Sequence, residues 1–198
     1  IRFFCMKHAY LILAHSSKNL LKELIQALDD VRNDIYVHLD KKAKFDISDL
    51  STKFSALHVL PERLDARWGD YSLVEVELLL MEKASLKYPY AYYHLLSGVD
   101  FPIACQNVVH DFFENHSGQE FIGFANHTPK SELKWRSQHY FLFSRNFKTK
   151  NLLIRLARRI FADVQTLIGL KRYPKEVKKG CQWCSITNDF VQLLLSNK

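Results

Sequence analysis

The chain opens on a continuous apolar run, His8 to Ala14 (HAYLILA), followed by His15, Ser16 and Ser17 and then by Leu20, Leu21, Leu24, Ile25 and Leu28 at helical spacing. This order predicts a strand, a polar loop and a helix. Asp34 to Leu39 (DIYVHL) is a second β-branched and aromatic run ending at Asp40, and Ala56 to Leu60 (ALHVL) is a third. Ser72 and Glu75 form an S-x-x-E capping box ahead of a long helix through Leu78 to Lys87. Tyr92 to Leu96 (YYHLL) is a fourth strand, closed by a turn that Gly98 and Pro102 punctuate. Strands alternating with helices predict an α/β fold with a mainly parallel central sheet flanked by helices.

Beyond Pro102 the pattern predicts a helix over Gln106 to Asn115, a strand around Glu120 to Phe124, a polar stretch from Ala125 to Ser137 and a further strand over Tyr140 to Phe143. Leu152, Leu153, Leu156, Ile160, Val164, Leu167 and Ile168 recur at helical spacing, with Arg155, Arg158 and Arg159 on the other side. Cys181 to Ile186 reads as a short strand, and Thr187 or Asn188 caps a last helix through Phe190 to Leu195. Without an internal repeat or a Pro/Ser-rich linker, residues 1–198 read as one domain.

Composition narrows the classes. Hydrophobic residues make up 47% of the 198 and charged residues 25%, so the chain can build a packed core and is neither disordered nor fibrous. Its six glycines are too dispersed to write G-x-G-x-x-G or a P-loop, which excludes dinucleotide and P-loop NTPase readings. Four cysteines imply no disulfide framework and point to a reducing compartment. With no run of about 18 apolar residues, a soluble cytoplasmic protein is expected, and Met6 is a candidate start with Ile1 to Cys5 as a leader.

The formal charge of +7 is unevenly placed. From Lys148 to Lys179 there are ten basic residues, Lys175 among them, against Asp163 and Glu176; this net +8 leaves −1 for the remainder. The segment interleaves only Phe161 and Tyr173, which argues against a nucleic-acid surface. Its basic amphipathic helix, 151–168, suits either a solvated outer face or a peripheral contact of 148–179 with an anionic membrane or a glycan.

Ligands of open parallel sheets bind beyond the carboxyl ends of the strands, so the polar residues found there are the candidates. They are His15 with Ser16, Asp40 with Lys41, Glu62 with Arg63, and Ser97 with Asp100. A carboxylate such as Asp40 accepts hydrogen bonds from ribose hydroxyls, or else it caps a turn. Arg63 pairs with phosphate or carboxylate, or else makes a structural ion pair. Cys181 and Cys184 lack a second C-x-x-C or an H-x-x-x-H partner, which leaves little support for zinc. Most of the nine histidines sit in apolar runs, and neither G-x-S-x-G nor D-x-D occurs, so a serine hydrolase and a simple metal-held nucleotide-sugar site both lose ground.

Five ordered segments, HAYLILAHSSKNLLKELIQAL, IYVHLDKKA, R-x-x-x-x-W-G-x-x-S-L-V-E from Arg63 to Glu75, YYHLLSGVDFPI and GCQWCSITNDFV, resemble the core-2/I-branching family of inverting glycosyltransferases, which includes β-1,6-N-acetylglucosaminyltransferases and peptide O-xylosyltransferases. The resemblance implies a GT-A-like fold, a UDP-sugar donor, a glycan or protein acceptor, and no metal or other cofactor. It implies a nucleotide-binding half over 6–124 and an acceptor-side portion over 125–198. On this resemblance His15 and Asp40 face uracil and ribose, Arg63 and Ser72 support the nucleotide pocket, and Asp100 contacts the sugar-nucleotide region. Glu132, Trp135 and Arg136 match an E-x-x-W-[KR] acceptor-side stretch, and Gln182 and Trp183 line the acceptor or donor-sugar pocket; Trp68 and Trp183 serve equally well as core residues. The general base implied by the resemblance is a Glu in an S-P-D-E-like motif after the last helix. It is therefore expected beyond Lys198, and the 198 residues are expected to be a portion that binds nucleotide without turnover.

Overall fold

A computed structural model describes residues 7–125, 127–143, 149–172 and 177–198. Ile1 to Met6, and Lys148, Tyr173, Lys175 and Glu176 of the basic segment, lie outside the described residues. In chain order the elements are β1 (His8–Ala14), α1 (Lys18–Leu28), β2 (Asn33–Leu39), β3 (Ala56–Val59), α2 (Ser72–Ser85), β4 (Tyr92–Ser97), α3 (Gln106–Asn115), β5 (Phe121–Phe124), α4 (Lys130–Gln138), α5 (Leu152–Leu167), β6 (Gly180–Thr187) and α6 (Asn188–Ser196).

The strands form one sheet in the order β3-β2-β1-β4-β6-β5. β1 pairs in parallel with both β2 and β4, and β2 in parallel with β3, whereas β6 lies antiparallel to β4. All seven positions of β1 and of β2 are buried, which is why both read as near-continuous apolar runs instead of alternating ones. Each face of the sheet has its own core. α1 turns Leu21, Leu24, Ile25 and Leu28, spaced for one helical stripe, onto Ile12, Ile35 and Val37. Val76, Leu80 and Met81 of α2 and Val191 of α6 cover Leu11, Tyr36, Tyr93 and Leu95 on the other face. A fully buried leucine or isoleucine contributes about 1.5–3 kcal/mol, so these two layers dominate stability.

The amino ends of the strands carry a buried polar chain. Ser185 Oγ bonds His94 Nδ1 at 2.8 Å, His94 Nε2 lies 3.0 Å from His8 Nδ1, and the His8 and His110 rings approach to 4.2 Å. His110 Nε2 then meets Asn33 Oδ1 at 2.8 Å. Burial holds all three histidines neutral, lowering His8 to about 2, His94 to about 3 and His110 to about 4.

Two segments differ from the pattern. The polar stretch from Ala125 contains α4, and its four-residue salt bridge Arg136–Glu132 at 2.8 Å supports a helix with no buried residue. Tyr140 to Phe143 form no strand. Their backbone groups are taken by side chains of α5 instead of a ladder: Gln165 accepts from the Tyr140 amide at 2.7 Å and donates to its carbonyl at 3.0 Å, while Arg158 donates to the carbonyls of Leu142 and Phe143 at 3.1 and 2.7 Å. The last helix is capped by Thr187, whose side chain accepts from the Phe190 amide.

The chain divides into two compact units. The first comprises residues 1–66, 72–122 and 182–198, and the second residues 67–71 and 123–181.

Candidate functional site

In the first unit the chain steps from β1 to β2 and β3 on one side and to β4 on the other, so the carboxyl end of β1 is a topological switch point. Ala14 pairs with Leu39 and Leu13 with Ser97, which brings the segments after β1, β2 and β4 side by side. His15 and Ser16 are exposed directly after the fully buried β1. Ser17 adopts a left-handed conformation with φ 54° and makes no side-chain cap, so it leaves the first-turn amides of α1 without a side-chain acceptor at this edge.

Asp40 is 4% exposed and its carboxylate is occupied by the fold. Oδ1 accepts from the Lys42 amide at 2.7 Å and Oδ2 from the Ala66 amide at 3.0 Å, while its own amide donates to the Ala14 carbonyl at 2.8 Å. Of the two roles open to it, the geometry is that of a turn cap that ties 40–42 to 66. Among the described residues Arg63 makes no carboxylate pair; it donates to the Asp40 and Ala43 carbonyls at 2.9 and 2.8 Å and fixes the same loop. His38 Nε2 accepts from the Leu64 amide at 3.0 Å, and burial lowers its pKa, so this clamp works with a neutral ring. Ser72 is buried at the first residue of α2. Asp100 caps its own turn, accepting from the Ser97 amide at 2.7 Å. Gly98 donates its amide to the Leu13 carbonyl at 2.9 Å, and a Cβ there would stand 3.1 Å from Ala14 Cα. The rim is thus a set of backbone loops held rigid by buried polar side chains, with His15 and Ser16 at its open edge.

Gln182 and Trp183 also belong to the first unit, on opposite sides of β6 because consecutive strand residues alternate. Gln182 donates to Glu77 of α2 at 3.0 Å; burial raises the Glu77 pKa, and the Gln182 bond opposes that rise. β6 runs antiparallel to β4 and Gln182 precedes Ser185, the partner of His94, so this carboxyl lies toward the carboxyl ends of β1 and β4. Glu77 is a polar group that the motif reading passed over, since its partner is 105 residues away. Burial also pushes the Cys184 thiol up to about 11; Cys105, Cys181 and Cys184 are free.

Glu132, Trp135 and Arg136 lie on α4 of the second unit. Trp135 and Arg136 line a cleft of about 1300 Å³, together with Trp68 and Tyr71 and with Arg155, Arg158, Arg159 and Arg172. Trp135 meets Phe141 edge-on at 4.9 Å, and Glu132 pairs with Arg136. The arginines of α5, whose spacing suits a solvated face, are cleft residues. Arg155 and Arg159 are exposed there, and so are leucines of the same helix, Leu152 at 73% and Leu153 at 75%. Among the described residues no group of three or more His, Cys, Asp or Glu side chains is arranged to hold a metal, and no helix is long and apolar enough to cross a membrane.

A mostly parallel six-stranded sheet, helices on both faces and a polar rim at the switch point define an α/β protein of GT-A-like fold. The chain belongs to the Core-2/I-Branching enzyme family, whose model matches residues 8–198. That family is one of glycosyltransferases, acting between a sugar donor and a glycan acceptor. No curated protein matches the chain.

Proposed function

We propose that the protein takes part in inverting, metal-independent transfer of a sugar, N-acetylglucosamine or xylose, from its UDP conjugate to a glycan or protein acceptor. The observation that carries this reading is the rim at the carboxyl end of β1: exposed His15 and Ser16, the uncapped first turn of α1, and flanking loops fixed by Asp40, Arg63 and Asp100. Uracil and ribose fit the edge formed by His15 and the Asp40 loop, where backbone amides and carbonyls serve recognition and Asp40 acts by holding the loop. Arg63 supports that loop through the Asp40 and Ala43 carbonyls, and Ser72 is assigned to the same pocket.

In an inverting transfer the acceptor oxygen forms its bond to the anomeric carbon as the bond from that carbon to the diphosphate oxygen breaks. A carboxylate takes the hydroxyl proton, and UDP departs. The charge growing on the diphosphate needs donors already in place, a task to which an uncapped helix N-terminus is suited. Gln182, fixed by Glu77, is positioned to orient sugar hydroxyls toward this edge.

Titration calorimetry with UDP in EDTA tests the reading. Saturable binding is expected, and His15→Ala should weaken it without moving the unfolding midpoint. Absence of any UDP heat would overturn the proposal.

A further inference from the structure

The cleft of the second unit has a composition that packing alone does not explain. α5 has an apolar stripe and an arginine face, and hydrophobic burial would turn the stripe inward. Neither side is buried: Leu152, Leu153 and Leu167 are 73%, 75% and 85% exposed, and Arg155 and Arg159, also exposed, line the cleft with the half-buried Arg158. Arg158 has a scaffolding task, holding the Leu142 and Phe143 carbonyls. For the guanidinium groups of Arg155, Arg159 and Arg172, no hydrogen-bond or ion-pair acceptor occurs among the described residues. Asp163 is the one acidic residue lining the cleft among the described residues, against five arginines. Like charges gathered in a concave site raise the local concentration of anions.

We infer that this cleft binds an anionic saccharide, so that the acceptor belongs to the acidic glycans, bearing carboxylate or sulfate groups. The inference rests on the glycosyltransferase reading above and specifies its acceptor. Guanidinium forks match planar carboxylates bidentately, which a neutral sugar cannot exploit. The rings of Trp68 and Trp135, 61% and 48% exposed at the cleft, offer flat apolar faces to the C–H faces of pyranose rings. A membrane surface fits less well, because the arginines of α5 line a concave site together with Arg136 and Arg172 from outside that helix, not one flat face.

The test compares tetragalacturonate with its methyl ester, the same saccharide without charge, by calorimetry on the whole protein, with UDP titrated separately. Acidic oligosaccharide is expected to bind at least about tenfold more tightly than the ester, the effect of one or two charge-assisted hydrogen bonds. Arg155→Gln with Arg159→Gln should remove most of that difference, Arg155→Lys with Arg159→Lys should restore part of it, and UDP affinity should not change. Equal binding of acid and ester would overturn the inference without any variant. Tighter binding to anionic vesicles or to oligothymidylate than to tetragalacturonate would overturn it in favour of a membrane or nucleic-acid surface. Acidic-sugar selectivity with UDP binding absent would overturn the donor reading, and normal UDP binding without selectivity would overturn this one alone.

Discussion

Asp40 shows how far a single side chain can be read from its neighbours in sequence. A carboxylate at a strand end is equally a ribose acceptor and a turn cap. What makes it a cap in the fold is the Ala66 amide, 26 residues away, which no local pattern reports. Because both oxygens accept buried amides, Asp40→Asn puts an NH2 against an N–H and is expected to cost about 1–3 kcal/mol. Urea denaturation measures the loss, and UDP affinity should fall with it as the loop shifts. A direct ligand role alone would instead lower UDP affinity and leave the midpoint unchanged. Arg63 and Asp100 follow the same rule, each fixing backbone, whereas Trp135 and Arg136 line a cleft.

At the scale of elements, strands and helices with a clear period were readable: β1 and α3 have the limits expected of them, and the others begin and end within a few residues of theirs. The two departures have different causes: α4 has no apolar stripe and is supported by the Arg136–Glu132 pair, which a hydrophobic pattern does not report. Tyr140 to Phe143 carry strand-forming residues, but Gln165 and Arg158 satisfy their backbone from α5, a long-range choice invisible in a window of residues. The histidines in apolar runs were readable as core residues, and their coupling gives a pH prediction. Their folded pKa values lie below the ordinary 6.5, so the unfolded chain binds more protons below that pH. Stability is therefore complete above about pH 6.5 and is lost as the pH falls toward 4, by about 1.4 kcal/mol per pH unit for each histidine that stays neutral in the fold. Denaturation at pH 7, 6 and 5 checks the slope, which His94→Gln should make shallower. The turn after β4 makes a second prediction. Gly98→Ala places a Cβ 3.1 Å from Ala14 Cα and is expected to cost about 1–3 kcal/mol through overpacking, and to weaken UDP binding by prising that turn from β1.

For the molecule as a whole, the sequence showed where the charge is but not which way it faces. The net +8 of residues 148–179 contains the arginines of α5, which a helical wheel places on one side; in the fold that side, exposed at Arg155 and Arg159, lines a cleft with Trp68 and Trp135. The division into two units follows a different logic from a simple halving, since 67–71 join 123–181 while Gln182 and Trp183 return to the unit that contains β1. Donor recognition is proposed for the first unit and acidic-acceptor recognition for the second. The most direct test of the central claim is UDP calorimetry in EDTA, repeated after addition of Mn2+. Saturable binding in EDTA that the metal does not change is expected; no binding in EDTA, with heat that either never appears or appears only with Mn2+, would contradict metal-independent donor recognition.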